Sequence, residues 1–418
     1  MSDTQAQFID VDELCVGMYI YLDLGWIGHP FALNNFKIAS PDQIETIRGL
    51  GLKRVRWSPD RSDLATSSVA ASVAETPGVL PSPLDERRQL LLAQRASLDR
   101  CEREFSGATR AFRDILKLVP AEPEAARERA ETMVGDLVGK LLGQGESFIR
   151  LLSEQAGEKA TLHSINVTVI SLLLGKRLGF DAARLGGLGL GALLHDIGKI
   201  ELPERLRWRV DGLSAAERGL FQQHVAHGVK LAERMRLESE ARAIIAQHHE
   251  YVDGSGFPRR LTGEALTSES CIVSLVNHYD TLCNPVNPVA AITPHQALSL
   301  IFAQSRKKFD ADILGAFIRM MGVYPPGSIV MLTDGRHALV VSVSASRPLK
   351  PRVLIHDPRV AREEALVVDL EDEPDLGIRQ SLKPVQLPRA VFDYLSPRQR
   401  MCYFFERARD PSDAREGR

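Results

Sequence analysis

The pattern of apolar and polar positions divides the first part of the chain into two contrasting segments. Between Phe8 and Trp57, short apolar stretches alternate with turn residues around one helix-like segment. This pattern predicts a small α+β module over residues 1–57. Residues 58–83 are rich in Ser, Ala and Pro and have no apolar period, so we expect a flexible linker there.

The remainder of the chain is predicted to be mainly helical, with a change of character near its end. Two helical patterns with a proline-containing break between them cover residues 84–155, which we interpret as long connector helices. The apolar spacing stays almost wholly helical over residues 156–321. Short alternating stretches then predict a β-rich appendage with a short helix and a tail over residues 322–418. The predicted fold class is mainly α, with a small α+β module before the helical core and a small β-rich appendage after it.

Composition and charge narrow the class of protein. The chain is 44% hydrophobic and 25% charged, and its formal net charge of −2 gives no basic character that would favour a nucleic acid polymer as partner. Its five cysteines form no C-x-x-C pair, which argues against a disulfide framework or a zinc finger and for a reducing compartment. No apolar run approaches the roughly 18 residues that a membrane span needs, and no signal-peptide pattern is present. We therefore expect a cytoplasmic protein without a membrane partner.

Candidate metal ligands concentrate in the helical region. His195 and Asp196 stand side by side at the predicted end of an apolar helix, and we expect Gly198 to end that helix. His248 and His249 close another helical segment. Imidazole nitrogen and carboxylate oxygen together suit iron, manganese or zinc, and a carboxylate can bridge two ions. Asp196 is the natural bridge, although a His-Asp dipeptide alone is more typical of a hydrogen-bonded pair.

Other candidate residues surround these two pairs in the sequence. The glycines in the loop from Asp253 to Pro258 allow a close approach of the backbone to a ligand. His163 and His224 lie on separate predicted helices, and Lys199 places a positive charge just beyond Asp196. Taken singly, His163 and His224 are more typical of packing residues than of ligands, and Lys199 could also be a solvent-exposed lysine at a helix end. We expect His227 to be a surface or packing residue.

The order of these motifs along the chain resembles the HD-GYP family of the HD phosphohydrolase superfamily. The family's H-D-x-G-K pattern appears at His195–Lys199, its H-x-x-x-G pattern at His224–Gly228, and its H-H-E-x-x-D-G-x-G-Y-P pattern at His248–Pro258. In the last motif Phe257 replaces Tyr, which keeps the aromatic ring and loses the hydroxyl. The N-terminal segment also resembles a small domain that is often fused ahead of HD-GYP domains in bacteria.

The resemblance implies an HD-type helical bundle over residues 156–321 that hydrolyses cyclic di-GMP to the linear dinucleotide or to GMP. It implies two divalent ions, iron or manganese, and a metal-activated hydroxide as the nucleophile. The implied metal ligands are His163, His195 and Asp196 for one ion, with Asn277 at the family's last ligand position, and Asp196, His224, His248 and His249 for the other. The implied catalytic residues are Asp196 and Lys199, and the implied substrate-binding residues are Lys199, Asp253, Gly254, Gly256, Phe257 and Pro258.

Three positions depart from the family pattern or qualify it. Asn277 stands where the family has the first Asp of a D-x-x-D-A-L run, and its neutral amide should hold an ion more weakly. Asp280 matches the second Asp of the run, for which we expect a hydrogen-bonding or capping role. The family's Arg-Pro-Tyr segment, whose Arg helps to hold the dinucleotide, is replaced by a segment that begins at Cys283 and contains no arginine.

These departures keep two alternative functions open. The first is a degenerate domain that senses a nucleotide or binds a protein without turnover. The second is an HD-type phosphohydrolase that acts on another nucleotide. Cyclic di-GMP is the expected partner, together with a second copy of the chain through the helices of residues 84–155 and a signalling protein. Neither a nucleic acid polymer nor a membrane is expected as a partner.

Overall fold

The computed structural model describes residues 7–22, 35–50, 52–58, 62, 83–143, 147–153, 159–207, 212–344 and 347–407. Apart from Ser58, Ser62 and Pro83, the linker predicted at residues 58–83 lies outside these ranges. The chain divides into two compact units, residues 1–80 and 81–418. In the described ranges, no helix is both long and apolar enough to cross a bilayer.

The first unit is a small antiparallel sheet with one helix. Its elements are β1 (Gln7–Asp10), β2 (Tyr19–Tyr21), β3 (Asn35–Lys37), α1 (Pro41–Arg48) and β4 (Arg54–Ser58). The strands are ordered β1-β4-β2-β3, and one face of the sheet buries an apolar core that includes Ile20, Ile47 and Val55. The α+β character predicted for this segment is confirmed.

The second unit contains the remaining helices. They are α2 (Pro83–Leu118), α3 (Pro123–Leu142), α4 (Lys159–Arg177), α5 (Ala182–Leu194), α6 (Glu204–Arg207), α7 (Ala215–Gln222), α8 (His224–Arg234), α9 (Ser239–Gln247), α10 (Ser268–Cys283), α11 (Pro294–Leu300), α12 (Ala311–Met321) and α13 (Arg389–Leu395). Proline occupies the first position of α3 and α11, where its missing N–H costs no helical hydrogen bond. The mainly helical character predicted for this region is confirmed.

A second sheet completes this unit. Its strands are β5 (Ser147–Leu151), β6 (Ile329–Leu332), β7 (His337–Ser344), β8 (Arg352–Ile355), β9 (Val367–Asp369), β10 (Ile378–Leu382) and β11 (Tyr403–Arg407). The main path runs β10-β6-β7-β5-β11, with β8 paired to β7 and β9 paired to β8. The predicted β-rich character of the C-terminal region is therefore confirmed.

The helical pattern predicted as far as residue 155 is wrong at β5. Gly143 follows the end of α3, and the five residues of β5 pair with β7 and β11, which follow much later in the chain. A short apolar run buried on both faces cannot be assigned to helix or strand by its period alone. The C-terminal sheet therefore includes a strand that precedes the helical region.

The helices that carry the candidate ligands share one apolar core with α2 and α3. Phe105 on α2, Val134 on α3, Leu172 on α4, Ile244 on α9 and Leu275 on α10 are all almost completely buried in it. The long helices are thus packed against the region that they precede. The domain boundaries proposed at 155/156 and 321/322 stay predictions, as does a dimer interface on the connector helices.

Candidate metal centre

The predicted histidine and aspartate ligands lie at or near helix ends. His195 and Asp196 directly follow α5, His248 and His249 directly follow α9, His224 is the first residue of α8, and His163 lies in the second turn of α4. Helix ends leave backbone carbonyl groups without helical partners, and they allow side chains to point along the helix axis towards a common centre. The structure brings all six side chains together in two groups that share Asp196.

A backbone contact between two glycines holds His224 close to Asp196. A Cβ atom on Gly198 would lie 1.9 Å from the carbonyl oxygen of His224 and 2.4 Å from the backbone nitrogen of Gly228. The 3-10 helix Ile197–Glu201 therefore packs directly against α8. The expectation that Gly198 ends the preceding helix is wrong, because α5 already ends at Leu194. Glycine is required at position 198 for this close approach.

Carbonyl groups at helix ends set the tautomer of three histidines. The Nδ1 atoms lie at hydrogen-bond distance from carbonyl oxygens three residues earlier: His195 from Ala192 (2.7 Å), His224 from Phe221 (2.7 Å) and His248 from Ile245 (2.9 Å). A carbonyl oxygen can only accept, so each Nδ1 carries the proton and each Nε2 presents a lone pair. The lone pairs are the atoms that a metal ion would bind.

His163 is oriented by a carboxylate instead of a carbonyl. Its Nδ1 lies 2.6 Å from Oδ2 of Asp280, which is fully buried. This contact leaves Nε2 of His163 directed at His195, with the two Nε2 atoms 3.3 Å apart. The hydrogen-bonding role expected for Asp280 is confirmed, and the arrangement is the carboxylate–histidine pair that is common behind metal ligands.

Each oxygen of Asp196 faces a different group of histidines. Oδ2 lies 3.4 Å from Nε2 of His195 and 3.8 Å from that of His163. Oδ1 lies 3.4 Å from Nε2 of His224 and 3.7 Å from that of His248, and those two nitrogens are 3.3 Å apart. His249 completes the second group. Asp196 is therefore placed between the groups as a shared carboxylate.

The Nε2 atoms of the histidines and the oxygens of Asp196 are arranged as ligands of metal ions and not as hydrogen-bonded pairs with one another. In each group, two Nε2 atoms that both present lone pairs lie 3.3 Å apart. With no proton between them they cannot form a hydrogen bond, so this approach is favourable only around a cation. Oδ1 of Asp196 and Nε2 of His249 are also buried without a hydrogen-bond partner. Ligand atoms about 2.1 Å from one ion lie roughly 3.0–3.5 Å apart, which is close to the spacings in both groups.

Burial keeps His195, His224 and His249 neutral, whereas neighbouring side chains keep Asp196 charged. Burial lowers the pKa of His195 to about 4 and that of His224 to about 3, and it lowers the pKa of His249 well below its usual value. Burial disfavours the charge of Asp196, but Lys199 and His195 outweigh it and hold the pKa of this carboxyl well below its usual range. Neutral imidazoles around an ionised carboxylate are the protonation states that metal binding requires.

Lys199 lies beside the shared carboxylate. Its Nζ atom is 2.5 Å from Oδ2 of Asp196 and 5.4 Å from the centre of the Phe221 ring. The two side chains are three residues apart, so the short 3-10 helix places them on the same side. A positive charge is thus fixed at the edge of the two groups.

The loop from Asp253 to Pro258 contributes one ring to the site. Phe257 stacks on His249, with ring centres 4.4 Å apart and an angle of 22° between the ring planes. A Cβ atom on Gly256 would lie 2.5 Å from the carbonyl oxygen of His249, so glycine is required for this approach.

Asp253 is exposed and accepts hydrogen bonds from the backbone and hydroxyl of Ser255, so it stabilises the turn itself. Gly254 adopts the left-handed region at a φ of 75°.

Sequence reasoning gave no separate role to Glu250, which anchors this loop. Its buried carboxylate accepts hydrogen bonds from the backbone N–H groups of Arg259 (2.6 Å) and Leu261 (3.0 Å). Its position inside the H-H-E motif was the available signal, but its partners could not be read from the motif. Glu250 therefore holds the far end of the loop whose Phe257 contacts His249.

Comparison with known families identifies the domain that contains this site. The family model described as HD domain matches residues 131–313, and a model described as a domain of unknown function, DUF3391, matches residues 7–130. Residues 131–313 of this chain are therefore similar to the HD domain family. The resemblance inferred from motif order, including a further domain ahead of the HD domain, is confirmed.

Relatives named as cyclic-dinucleotide phosphodiesterases match parts of the chain, and one of them matches most of it. A cyclic di-GMP phosphodiesterase of Pseudomonas aeruginosa is 25% identical over 359 residues, which are 83% of this chain and 84% of that relative. The 3′3′-cGAMP-specific phosphodiesterase 2 of Vibrio cholerae is 32% identical over 29% of this chain and 24% of that relative. A solved HDG"Y"P protein from Bdellovibrio bacteriovorus aligns with a TM-score of 0.42 and 16% identity, over 75% of this chain and 98% of that chain.

Asn277 lies inside the HD domain on α10, one turn before Asp280. Its side chain is buried, and Asp280 on the same helix reaches His163. This location suits a ligand on the His163 side, which stays a proposal. His227 is half-buried on α8 and belongs to neither of the two ligand groups found in the described ranges.

Proposed function

We propose that the HD domain hydrolyses cyclic di-GMP to the linear dinucleotide or to GMP, in the cytoplasm, with two divalent ions of iron or manganese. The observation that carries the proposal is the sharing of Asp196 between two groups of lone-pair histidine nitrogens. The loop motif that ends at Pro258 and the name of the Pseudomonas aeruginosa relative support this substrate.

We assign the ligands of each ion from the two groups. One ion would be held by His163, His195 and Asp196, with Asn277 as a further neutral ligand, and the other by Asp196, His224, His248 and His249. When bound, two such ions supply a hydroxide near neutral pH and stabilise the charge that builds up during in-line attack on a phosphodiester.

The residues of the chain complete the site around the scissile phosphate. Lys199, whose side chain is partly exposed beside Asp196, contributes a fixed positive charge for a phosphate oxygen. The Phe257 ring covers His249 and narrows the approach to that side. Hydrolysis would form one bond from a hydroxide oxygen to phosphorus and break one phosphorus–oxygen ester bond, and the leaving oxygen would take up a proton to become a hydroxyl group. One such step gives the linear dinucleotide and a second gives GMP, and neither needs a protein nucleophile.

A turnover assay with a matched pair of histidine variants tests the proposal. The purified chain, loaded with Fe²⁺ or Mn²⁺ without oxygen, should convert cyclic di-GMP to linear product that chromatography detects. His224→Ala should lower the rate by about a hundredfold or more, because a ligand of one ion is lost. His227→Ala, on the same helix but in neither group, should stay within about twofold of the wild type. Absence of product from the loaded wild type would refute the proposal and favour a binding domain without turnover.

Restoring a charged ligand at position 277 should strengthen the weaker side of the site. In Asn277→Asp, the added negative charge would face the ion held by His163 and His195, so we expect that ion to bind about tenfold more tightly and turnover to rise. Metal titration together with the rate assay measures both effects. Unchanged affinity and rate would show that Asn277 does not contact the metal.

A second candidate substrate is 3′3′-cGAMP. The Vibrio cholerae relative named for this substrate is 32% identical over its matched segment, and no arginine occupies the segment after Cys283 where the HD-GYP pattern has one. The rates for cyclic di-GMP and 3′3′-cGAMP, measured side by side, decide between them. A clear preference for the mixed dinucleotide would replace cyclic di-GMP as the proposed substrate.

A further inference from the structure

A buried polar cluster lies behind His163, on the side away from the ligand groups. At its centre is Asp280, whose Oδ2 lies 2.6 Å from Nδ1 of His163. Its other oxygen, Oδ1, accepts a hydrogen bond from Nδ2 of Asn166 at 2.8 Å and one from Nδ2 of Asn284 at 2.9 Å. The carboxylate is therefore fixed from both ends, one of which orients a proposed metal ligand.

The same two asparagines also bind the backbone of the C-terminal segment. Nδ2 of Asn166 and Nδ2 of Asn284 both donate to the carbonyl oxygen of Met401, at 2.7 and 3.0 Å. In return, the backbone N–H of Met401 donates to Oδ1 of Asn284 at 2.7 Å, and that of Tyr403 donates to Oδ1 of Asn166 at 3.0 Å. Each amide side chain thus uses both its donor and its acceptor group to join Asp280 to the start of β11.

This C-terminal segment is anchored in the sheet independently of the asparagines. Strand β11 pairs with β5 from Tyr403 to Arg407, and the N–H of Leu152 donates to the carbonyl of Cys402. Residues 401–403 lie beyond residues 131–313, which match the HD domain. A segment outside the matched region is therefore connected through two side chains to a candidate ligand inside it.

We propose that Asp280 is the positioning residue of His163, and that a latch makes the binding of one ion depend on the C-terminal strand. The latch consists of Asn166, Asn284 and the backbone of residues 401–403. The inference rests on the metal site of the proposed function. A carboxylate that accepts from Nδ1 fixes the ring, and it makes Nε2 a stronger donor to a cation. The latch stops that carboxylate from rotating away. It also holds the Asp280 side chain one hydrogen bond behind His163, on the side of the site where we place Asn277 as a neutral ligand.

The latch predicts an effect on one ion and not on the other. Asn284→Ala removes three of its hydrogen bonds and leaves Asn166 in place, so the fold should be retained. His163 belongs to one ligand group only. A titration of the metal-free full chain with Mn²⁺ should therefore show one binding step weakened and the other unchanged within twofold. We expect a weakening of about tenfold, the usual effect of losing a residue that hydrogen-bonds to a metal ligand. Nitrogen-15 NMR of the histidine rings in the metal-free chain should show His163 losing its single tautomer, while His195 keeps its own.

A matched control separates the latch from simple loosening of the strand. Ser97→Ala removes a hydrogen bond between α2 and Glu406, which lies on β11 but does not contact Asp280. This variant should leave both Mn²⁺ steps and the His163 signals unchanged. Equal weakening of both steps by Asn284→Ala, no weakening of either, or the same split in Ser97→Ala would overturn the inference. If the His163 signals change as expected but the chain shows no turnover, the latch stands and the proposed function fails.

Discussion

Replacement of Asp196 by Asn should lower the turnover of cyclic di-GMP by about a thousandfold and weaken both metal ions together. Asp196 is the one side chain shared by the two ligand groups in the described ranges, and each of its oxygens faces a different pair of histidines. An amide in its place offers one oxygen and no charge. Charge stabilisation by bound ions amounts to several kcal/mol, and ~4 kcal/mol corresponds to about three orders of magnitude in rate. Rate assays and metal analysis measure the two effects.

Glu201→Gln is the matched control for this neutralised carboxylate. Glu201 is exposed at the end of the same 3-10 helix as Lys199, and it belongs to neither ligand group. It should keep the wild-type rate and metal content. If Asp196→Asn retained both ions, or lost only one, Asp196 would not be a bridge and the assignment of ligands would have to change.

The second large effect is expected from a single methyl group at position 198. In Gly198→Ala, the added Cβ would fall 1.9 Å from the carbonyl oxygen of His224 and 2.4 Å from the nitrogen of Gly228. Both are backbone atoms and cannot rotate away, so the 3-10 helix and α8 must separate. Overpacking of a core usually costs about 1–3 kcal/mol, and for this contact we expect at least ~3 kcal/mol in the free energy of unfolding. Denaturation by urea, followed by circular dichroism, measures it.

Gly219→Ala, in a helix close by in the sequence, is expected to raise the free energy of unfolding instead of lowering it. Gly219 lies on α7, and in the described part of the chain a Cβ atom there would meet no atom within 4 Å apart from its chain neighbours and its own helix backbone. Alanine should therefore stabilise the chain by about 0.5–1 kcal/mol through its higher helix propensity. If Gly198→Ala accumulated only as insoluble protein while Gly219→Ala remained soluble, the expected difference would still be seen. Equal stability of the two variants would contradict the proposed contact between the backbones.

The candidate ligands were accessible to sequence reasoning because they occur in short motifs at helix ends. His195 with Asp196, and His248 with His249, follow apolar helices that their own periodicity predicts. Two adjacent residues at a helix end lie close together in any fold, so each motif places both of its candidate ligands in the same region. His224 could be added through motif order, although its distance from Asp196 depends on the contact made by Gly198.

The parts that sequence reasoning missed depend on contacts between distant segments. Strand β5 was taken as helix because its partners, β7 and β11, lie far away in sequence. The partners of Asp280 are similarly remote, since Asn166 lies on another helix and Met401 lies near the C-terminal strand. No local pattern distinguishes an asparagine that fixes a carboxylate from one on a surface. Gly198 was assigned to helix termination for the same reason, because its real neighbour is the backbone of α8.

The metal content of the intact chain tests the central claim most directly. Protein purified without oxygen and loaded with Fe²⁺ or Mn²⁺ can be freed of loosely bound ions and analysed by mass spectrometry of its elements. The shared carboxylate between two histidine groups predicts two ions per chain in the wild type, with one of them lost first on dilution because Asn277 is neutral. A chain that retains no ion, or a single ion whose binding does not depend on Asp196, would contradict the account.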